Sequence, residues 1–252
     1  MSAEPQPGDT YLSLDGTGYV EVPSLSAYSV DKTGELTVAA WMRPDVENFT
    51  HQEGSGYVYW MGKGTKFGQG GDQEWAHRMY STVNAEKRPQ RTSFYVFNPQ
   101  GGFGVGSHVQ EAVAIGAWRL IVGVADETHT YLYRDGERID CDTYRGPATD
   151  GCSIQTHQGQ QVVINPLGGG APLRIGTQSK ASFFQGGISR VRIWGRVLTP
   201  DEIMAVYQSD DAPKDWLVGE FLLNQDTGTQ ALDTAYENNG SLFGGATWAV
   251  QS

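Results

Sequence analysis

Trp75, His77, Arg78, Tyr80, Arg91, Tyr95, Phe97 and Phe103 fall within one short stretch of the chain, and these types recognise or process polar, ring-bearing molecules. Two neighbouring strands are predicted there, Trp75 to Val83 and Arg91 to Phe97. Side chains alternate faces along a strand. Arg78 and Tyr80 therefore share one face of the first strand, and His77 and Met79 share the other. One face must be core. On the other, aromatic rings can stack on sugar rings while Arg and His hydrogen-bond hydroxyls or carboxylates. The competing reading makes the aromatics core and leaves the charged groups in solvent. The expected ligand-binding residues are Trp75, Arg78, Tyr80, Arg91, Phe103 and His108.

These residues need a scaffold, and the most informative part of it lies further along. Gly186 to Trp194 has the branched and aromatic character of a buried strand. It runs straight into a short capped helix. Thr199 supplies an N-cap oxygen, Pro200 takes the first helical position, and Asp201 and Glu202 bring negative charge to the positive helix end. Ile203, Val206 and Tyr207 form one apolar side. The turn pairs Asp15-Gly16, Asp135-Gly136 and Asn239-Gly240, within a chain carrying 33 glycines, read as tight connections of an all-β fold.

The unit from Gln185 to Tyr207 resembles the closing strand and helix of the pentraxins and of the wider laminin-G-like, concanavalin A-like superfamily. Other blocks agree in order: Leu12 to Gly16 with Gly18 to Pro23, Leu36 to Pro44, Trp118 to Val124 with Tyr131 to Arg138, and Pro172 to Gly176. The resemblance implies an antiparallel jelly-roll β-sandwich with a short C-terminal helix. Residues 1–10 form an N-terminal tail and 11–252 a single domain, including a C-terminal strand pair at 216–248. Val46 to Gly71 and Arg138 to Ala171 depart from regular strand patterning: the first holds a strand, Tyr57 to Met61, between polar glycine-rich loops, and the second reads as a long loop with Val162-Val163-Ile164 a short strand. Gly101 to Gly106, without the strand-to-helix setting of a phosphate loop, reads as a flexible connection.

The same resemblance frames the chemistry. Related glucanases place two Glu and an Asp at alternating positions of one strand, one acting as nucleophile and one as acid. No Glu-x-Asp-x-x-Glu run occurs here, and Glu74 and Glu86 lack an alternating partner. A polysaccharide lyase needs a Tyr or His base and a group that neutralises a uronate carboxylate. His77, Arg78, Tyr80, Arg91 and Tyr95 supply those types without a recognisable motif, so no catalytic residue is assigned. Pentraxins bind calcium through an acidic, amide-rich loop, but the matching Thr177-Gln178-Ser179-Lys180 holds no carboxylate and carries a lysine. Relatives also hold a structural calcium with an Asp where this chain has Ser189. Asp15 remains the candidate metal ligand, for a structural calcium at the sandwich edge.

Length and charge narrow the partners. A chain of 252 residues can bury a full core. The net charge of -11 opposes nucleic acid and anionic membranes, and no run is long enough to span a bilayer. Cys141 and Cys152 are close enough for an intraloop disulfide worth roughly 2–3 kcal/mol, and free thiols in a reducing compartment are the other reading. Met1 to Thr10 is polar, with no apolar signal core. The family favours an extracellular or surface location, and the missing signal pulls the other way. The expected function is non-catalytic recognition, with a glycan as ligand. The alternative is a structural, decoration or adhesion component of a larger assembly, and the third reading is a lyase acting on a uronate polymer.

Overall fold

The computed structural model describes residues 2–65, 72–98, 103–147 and 151–252. In a sheet of nine strands, β3 (Leu36–Pro44) lies between β8 (Arg119–Ala125) and β15 (Gln185–Trp194). Beyond β8 come β9 (His129–Arg134), β10 (Glu137–Thr143) and β11 (Ser153–Ile154). Beyond β15 come β1 (Thr10–Asp15) and β19 (Ala246–Val250), and β16 (Leu217–Phe221) also pairs with β15. The second sheet has eight strands. It begins with β17 (Gln230–Ala231), β18 (Gly240–Phe243), β2 (Tyr19–Val22) and β14 (Leu173–Ile175). It continues through β4 (Tyr57–Lys63), β5 (Trp75–Tyr80), β6 (Thr92–Phe97) and β7 (Gly104–His108). A small ribbon joins β12 (Thr156–His157) to β13 (Gln160–Gln161). The β10–β11 pair is parallel and the large ladders are otherwise antiparallel. This is the concanavalin A-like jelly-roll sandwich that the resemblance implies.

Alternation along the strands decides what each face does. Val38, Ile121 and Ile193 from the first sheet meet Trp60, Trp75 and Phe94 from the second, and this layer is the main core. The first sheet is apolar on its other face as well, through Ala39, Trp41, Leu120 and Val122. A helix, α1 (Pro200–Ser209), covers that face with Ile203 and Val206. Burying two such side chains contributes about 1.5–3 kcal/mol each. The helix starts as its sequence requires: Thr199 accepts from the Glu202 backbone N–H, and the Glu202 carboxylate accepts from Thr199 N at 2.8 Å. Among the described residues no helix covers the outer face of the second sheet, which carries a second aromatic layer.

Some loop expectations are corrected. Residues 162–164 form no strand. Val162 and Ile164 turn inward, but their N–H groups donate to Gln155 O and Tyr144 O, carbonyls of irregular loop rather than of a ladder strand. Gly104 and Gly106 are not flexible connection but part of β7, while Gly101 and Gly102 lie outside the described residues. So do 66–71 and 148–150, in the two long loop regions. The C-terminal segment holds four strands rather than two, shared between both sheets. Cys141 and Cys152 are bonded to each other, beside the Asp142–Ser153 pairing of β10 with β11. No helix among the described residues is long and apolar enough to cross a membrane.

Candidate functional site

The outer face of the second sheet forms a cleft of about 560 Å³. Its floor comes from alternate residues of four adjacent strands. Tyr57 and Tyr59 project from β4, Arg78 from β5, Tyr95 and Phe97 from β6, and Gly104, Gly106 and His108 from β7. A register shift between Tyr59 and Met61 lets Trp60 turn into the core while Tyr59 stays outside, opposite Arg78. The β7 glycines have a packing reason. A Cβ on Gly104 would lie 2.5 Å from the Phe97 ring, and one on Gly106 2.5 Å from Tyr95 Cγ. Only glycine lets those rings lie flat across the neighbouring strand.

Arg78 is the centre of the cleft. Its guanidinium carbon lies 4.3 Å from the Tyr95 ring centroid, 4.5 Å from that of Tyr57 and 4.9 Å from that of Tyr80. Its Nη2 donates to the Tyr95 hydroxyl at 2.7 Å. Its Nε is buried without a partner, and among the described residues no carboxylate forms an ion pair with it. The nearby Glu86 is occupied elsewhere, accepting from Tyr80 at 2.8 Å and lying 3.1 Å from Arg88. The rings favour the cation, so it stays charged in spite of burial. A caged cation with free donors, set in a floor of aromatic rings, suits a ligand that offers ring faces and acceptor oxygens.

At the other end of the cleft, Phe103, which is 47% exposed, packs its ring 5.0 Å from that of His157. His108 and Asp142 line the wall between these ends. Asp142 has its pKa pushed up to about 7, first by burial and then by the neighbouring Asp140. Burial also holds the His108 imidazole below the usual range.

The six residues expected to bind ligand separate in the structure. Arg78, Phe103 and His108 line the cleft. Tyr80 shares their side of the sheet but is buried, supporting Arg78 from beneath. Arg91 lies apart, its guanidinium donating to Gln110 at 3.0 Å. Trp75 is corrected outright: it is fully buried in the main core and donates its indole N–H to Tyr28 O at 2.7 Å. His77 is likewise core, stacked on Trp60 at 4.5 Å, which removes it from any set of bases facing a ligand. The sequence reading missed Tyr57, Tyr59, Arg88 and Asp142 as lining residues. Two tyrosines spaced i, i+2 around Val58 were the available signal, since that spacing puts both on one face.

Asp15, the candidate metal ligand, is engaged in other bonding. Asp15 Oδ1 accepts from Thr17 N at 2.8 Å, Thr17 Oγ1 at 2.8 Å and Gly18 N at 3.1 Å, closing its own turn. These bonds lower its pKa. In the loop after β14, Lys180 Nζ lies 2.9 Å from Glu21, which also takes Arg174 at 2.8 Å. Cationic side chains thus already serve the carboxylate nearest that loop.

Comparison with known proteins agrees with this architecture. The family model described as the Concanavalin A-like lectin/glucanases superfamily, of laminin-G type, matches residues 14–204. No curated protein matches the chain in sequence. Among solved structures, it is similar to a candidate carbohydrate binding protein from Bacteroides ovatus, with a TM-score of 0.61 and 16% identity over 98% of this chain and 61% of that one. It therefore spans less than two thirds of that protein's length. It is also similar to the heptameric SAP-like pentraxin of Limulus polyphemus, with a TM-score of 0.56 and 14% identity over 97% and 96% of the two chains. A third likeness is to the CBM40 of the Ruminococcus gnavus IT-sialidase, with a TM-score of 0.52 and 17% identity over 81% and 99%. At these identities the likeness is one of fold.

Proposed function

This chain belongs to the concanavalin A-like lectin/glucanases superfamily, and from that premise we propose that it is a non-catalytic recognition module whose ligand is a glycan. The observation that carries the reading is the aromatic cleft around Arg78. Tyr57 offers a partly exposed ring for stacking over a base formed by the largely buried Tyr95 and Phe97, and the guanidinium has no competing carboxylate among the described residues. The carbohydrate-binding names of two similar structures support the ligand class. Two features oppose the lyase reading. His77 is out of reach of any ligand, and burial holds the Tyr59 and Tyr80 phenols above their usual range, so neither is a ready base.

The test is a glycan array on the purified chain, with calcium and with chelator in parallel, followed by Tyr95→Ala and Phe103→Ala. Each substitution is expected to weaken the selected glycan by about tenfold, the worth of one stacked ring. A uronate polymer panel is expected to gain no unsaturated ends. A blank array in both conditions, or full affinity in both variants, overturns the reading.

A second reading, a component of a larger assembly, has one observation in its favour. Trp216 and Tyr236 are 61% and 63% exposed and line one groove. Self-association seen by light scattering, and lost in Trp216→Ser, would favour it.

A further inference from the structure

β10 carries two aspartates at alternating positions, Asp140 and Asp142, so both point to one side of the strand. The register shift between Arg138 and Asp140 sets this phase, because the extra residue there flips the faces of everything after it. The side they point to is the edge of the other sheet, where His108 ends β7. Among the described residues His108, Asp140 and Asp142 form a group of metal-ligating side chains whose ligand atoms all lie within 4.8 Å of one another.

Two further observations separate this group from an ordinary acidic cluster. Asp142 is only 6% exposed, and its Oδ2 has no hydrogen-bond partner. The Nδ1 of His108 is also buried and unpartnered, 3.5 Å from Asp140 Oδ2. A buried carboxylate oxygen and a buried ring nitrogen left without hydrogen bonds in the same cluster are costly, unless something bound there accepts their lone pairs. Asp140 is meanwhile steadied, since its Oδ2 accepts the His108 backbone N–H at 2.8 Å.

We propose that His108, Asp140 and Asp142 bind a divalent cation of the zinc class at the seam between the two sheets. The donor set decides the class. One imidazole nitrogen with two carboxylates suits zinc, whereas calcium takes six to eight oxygens. Donors about 2.1 Å from a tetrahedral ion stand about 3.4 Å apart. The His108–Asp140 pair is already at that separation, 3.5 Å, and the Asp142 ligand atom lies within 4.8 Å of both. The fourth position faces the cleft, because His108 and Asp142 line its wall. The consequence is mechanical: no backbone ladder joins β7 to β10, and the ion would clasp the free edge of one sheet to the other.

The experiment uses metal alone and is independent of any glycan. The full chain is stripped with chelator, dialysed and titrated calorimetrically with zinc chloride, then with calcium chloride. Saturable zinc binding at one equivalent is expected, with a higher melting temperature in zinc and no comparable response to calcium. Asp142→Asn and His108→Gln, each checked for native circular dichroism, are expected to weaken zinc by at least about tenfold and to lose the thermal gain. Absence of saturable zinc binding, or wild-type affinity in both variants, overturns the proposal. A calcium response equal to that of zinc overturns the class assignment.

Discussion

His77 has the sharpest consequence of any single residue outside the cleft. Its ring is fully buried between Trp60 and Phe94, and burial pushes its pKa down to about 3. In the unfolded chain it titrates at about 6.5. The folded state therefore binds fewer protons than the unfolded state between those two values. The titration of His77 costs nothing above pH 6.5, and stability then falls with pH by about 1.4 kcal/mol per unit toward pH 3. His77→Leu, similar in volume, is expected to flatten that acid limb while changing stability near neutral pH by less than about 1.5 kcal/mol. Urea midpoints at about pH 7.5 and about pH 4.5 measure it, and parallel pH profiles for both proteins would sink it. At this scale the sequence was half legible. Alternation placed Arg78 and Tyr80 on one face and His77 and Met79 on the other, as found. The same rule assigns Trp75 to the His77 side, and expecting an aromatic at the binding surface overrode it. Asp140 and Asp142 flank Cys141, and their alternation was visible. That they meet His108 was not, because the approach of β7 to β10 depends on how the two sheets close.

At the scale of elements, the unit from β15 into α1 was the most legible part, since every signal in it is local. Thr199, Pro200 and Glu202 act within one turn, and Glu202 does two jobs there. Its Oε2 accepts the Thr199 N–H, and its Oε1 takes Arg196 Nη2 at 2.7 Å. These partners, Arg196 first, lower its pKa to about 2. A depressed carboxylate stabilises the fold above its unfolded value of about 4.5, and that contribution disappears as pH falls toward 2. Glu202→Gln keeps an oxygen for the capping box but removes the charge. The expected loss is about 0.5–1 kcal/mol at neutral pH, discounted because the pair is partly in solvent, and none near pH 2. A loss that persists unchanged at acid pH would assign the effect to the cap instead of the ion pair. The loops were far less legible. Val162 and Ile164 alternate like strand residues because both are buried, yet burial and ladder pairing are separate demands.

For the whole molecule, the two outer faces divide the work. The nine-stranded sheet hides its apolar back under α1, and the eight-stranded sheet carries an aromatic cleft that no helix covers among the described residues. Both sheets are completed by the same C-terminal segment. β16 pairs with β15 and β19 with β1, while β18 pairs with β2. Val218 and Phe221 contribute to the core that Leu12, Val20 and Ile193 also form. This interleaving supports residues 11–252 as one cooperative unit rather than a sandwich with an appended strand pair. A chain ended after residue 215 would leave the β1 and β2 edges unpaired and part of the core uncovered, two conditions that favour aggregation. It is expected to be insoluble or to bind a hydrophobic dye, without a cooperative urea transition. The full chain is expected to unfold in one step, with fluorescence and circular dichroism superimposing. A shortened chain that folds cooperatively would divide the molecule in two and leave the cleft, built from β4 to β7 and their loops with Asp142 and Gln155, as the property of the first part.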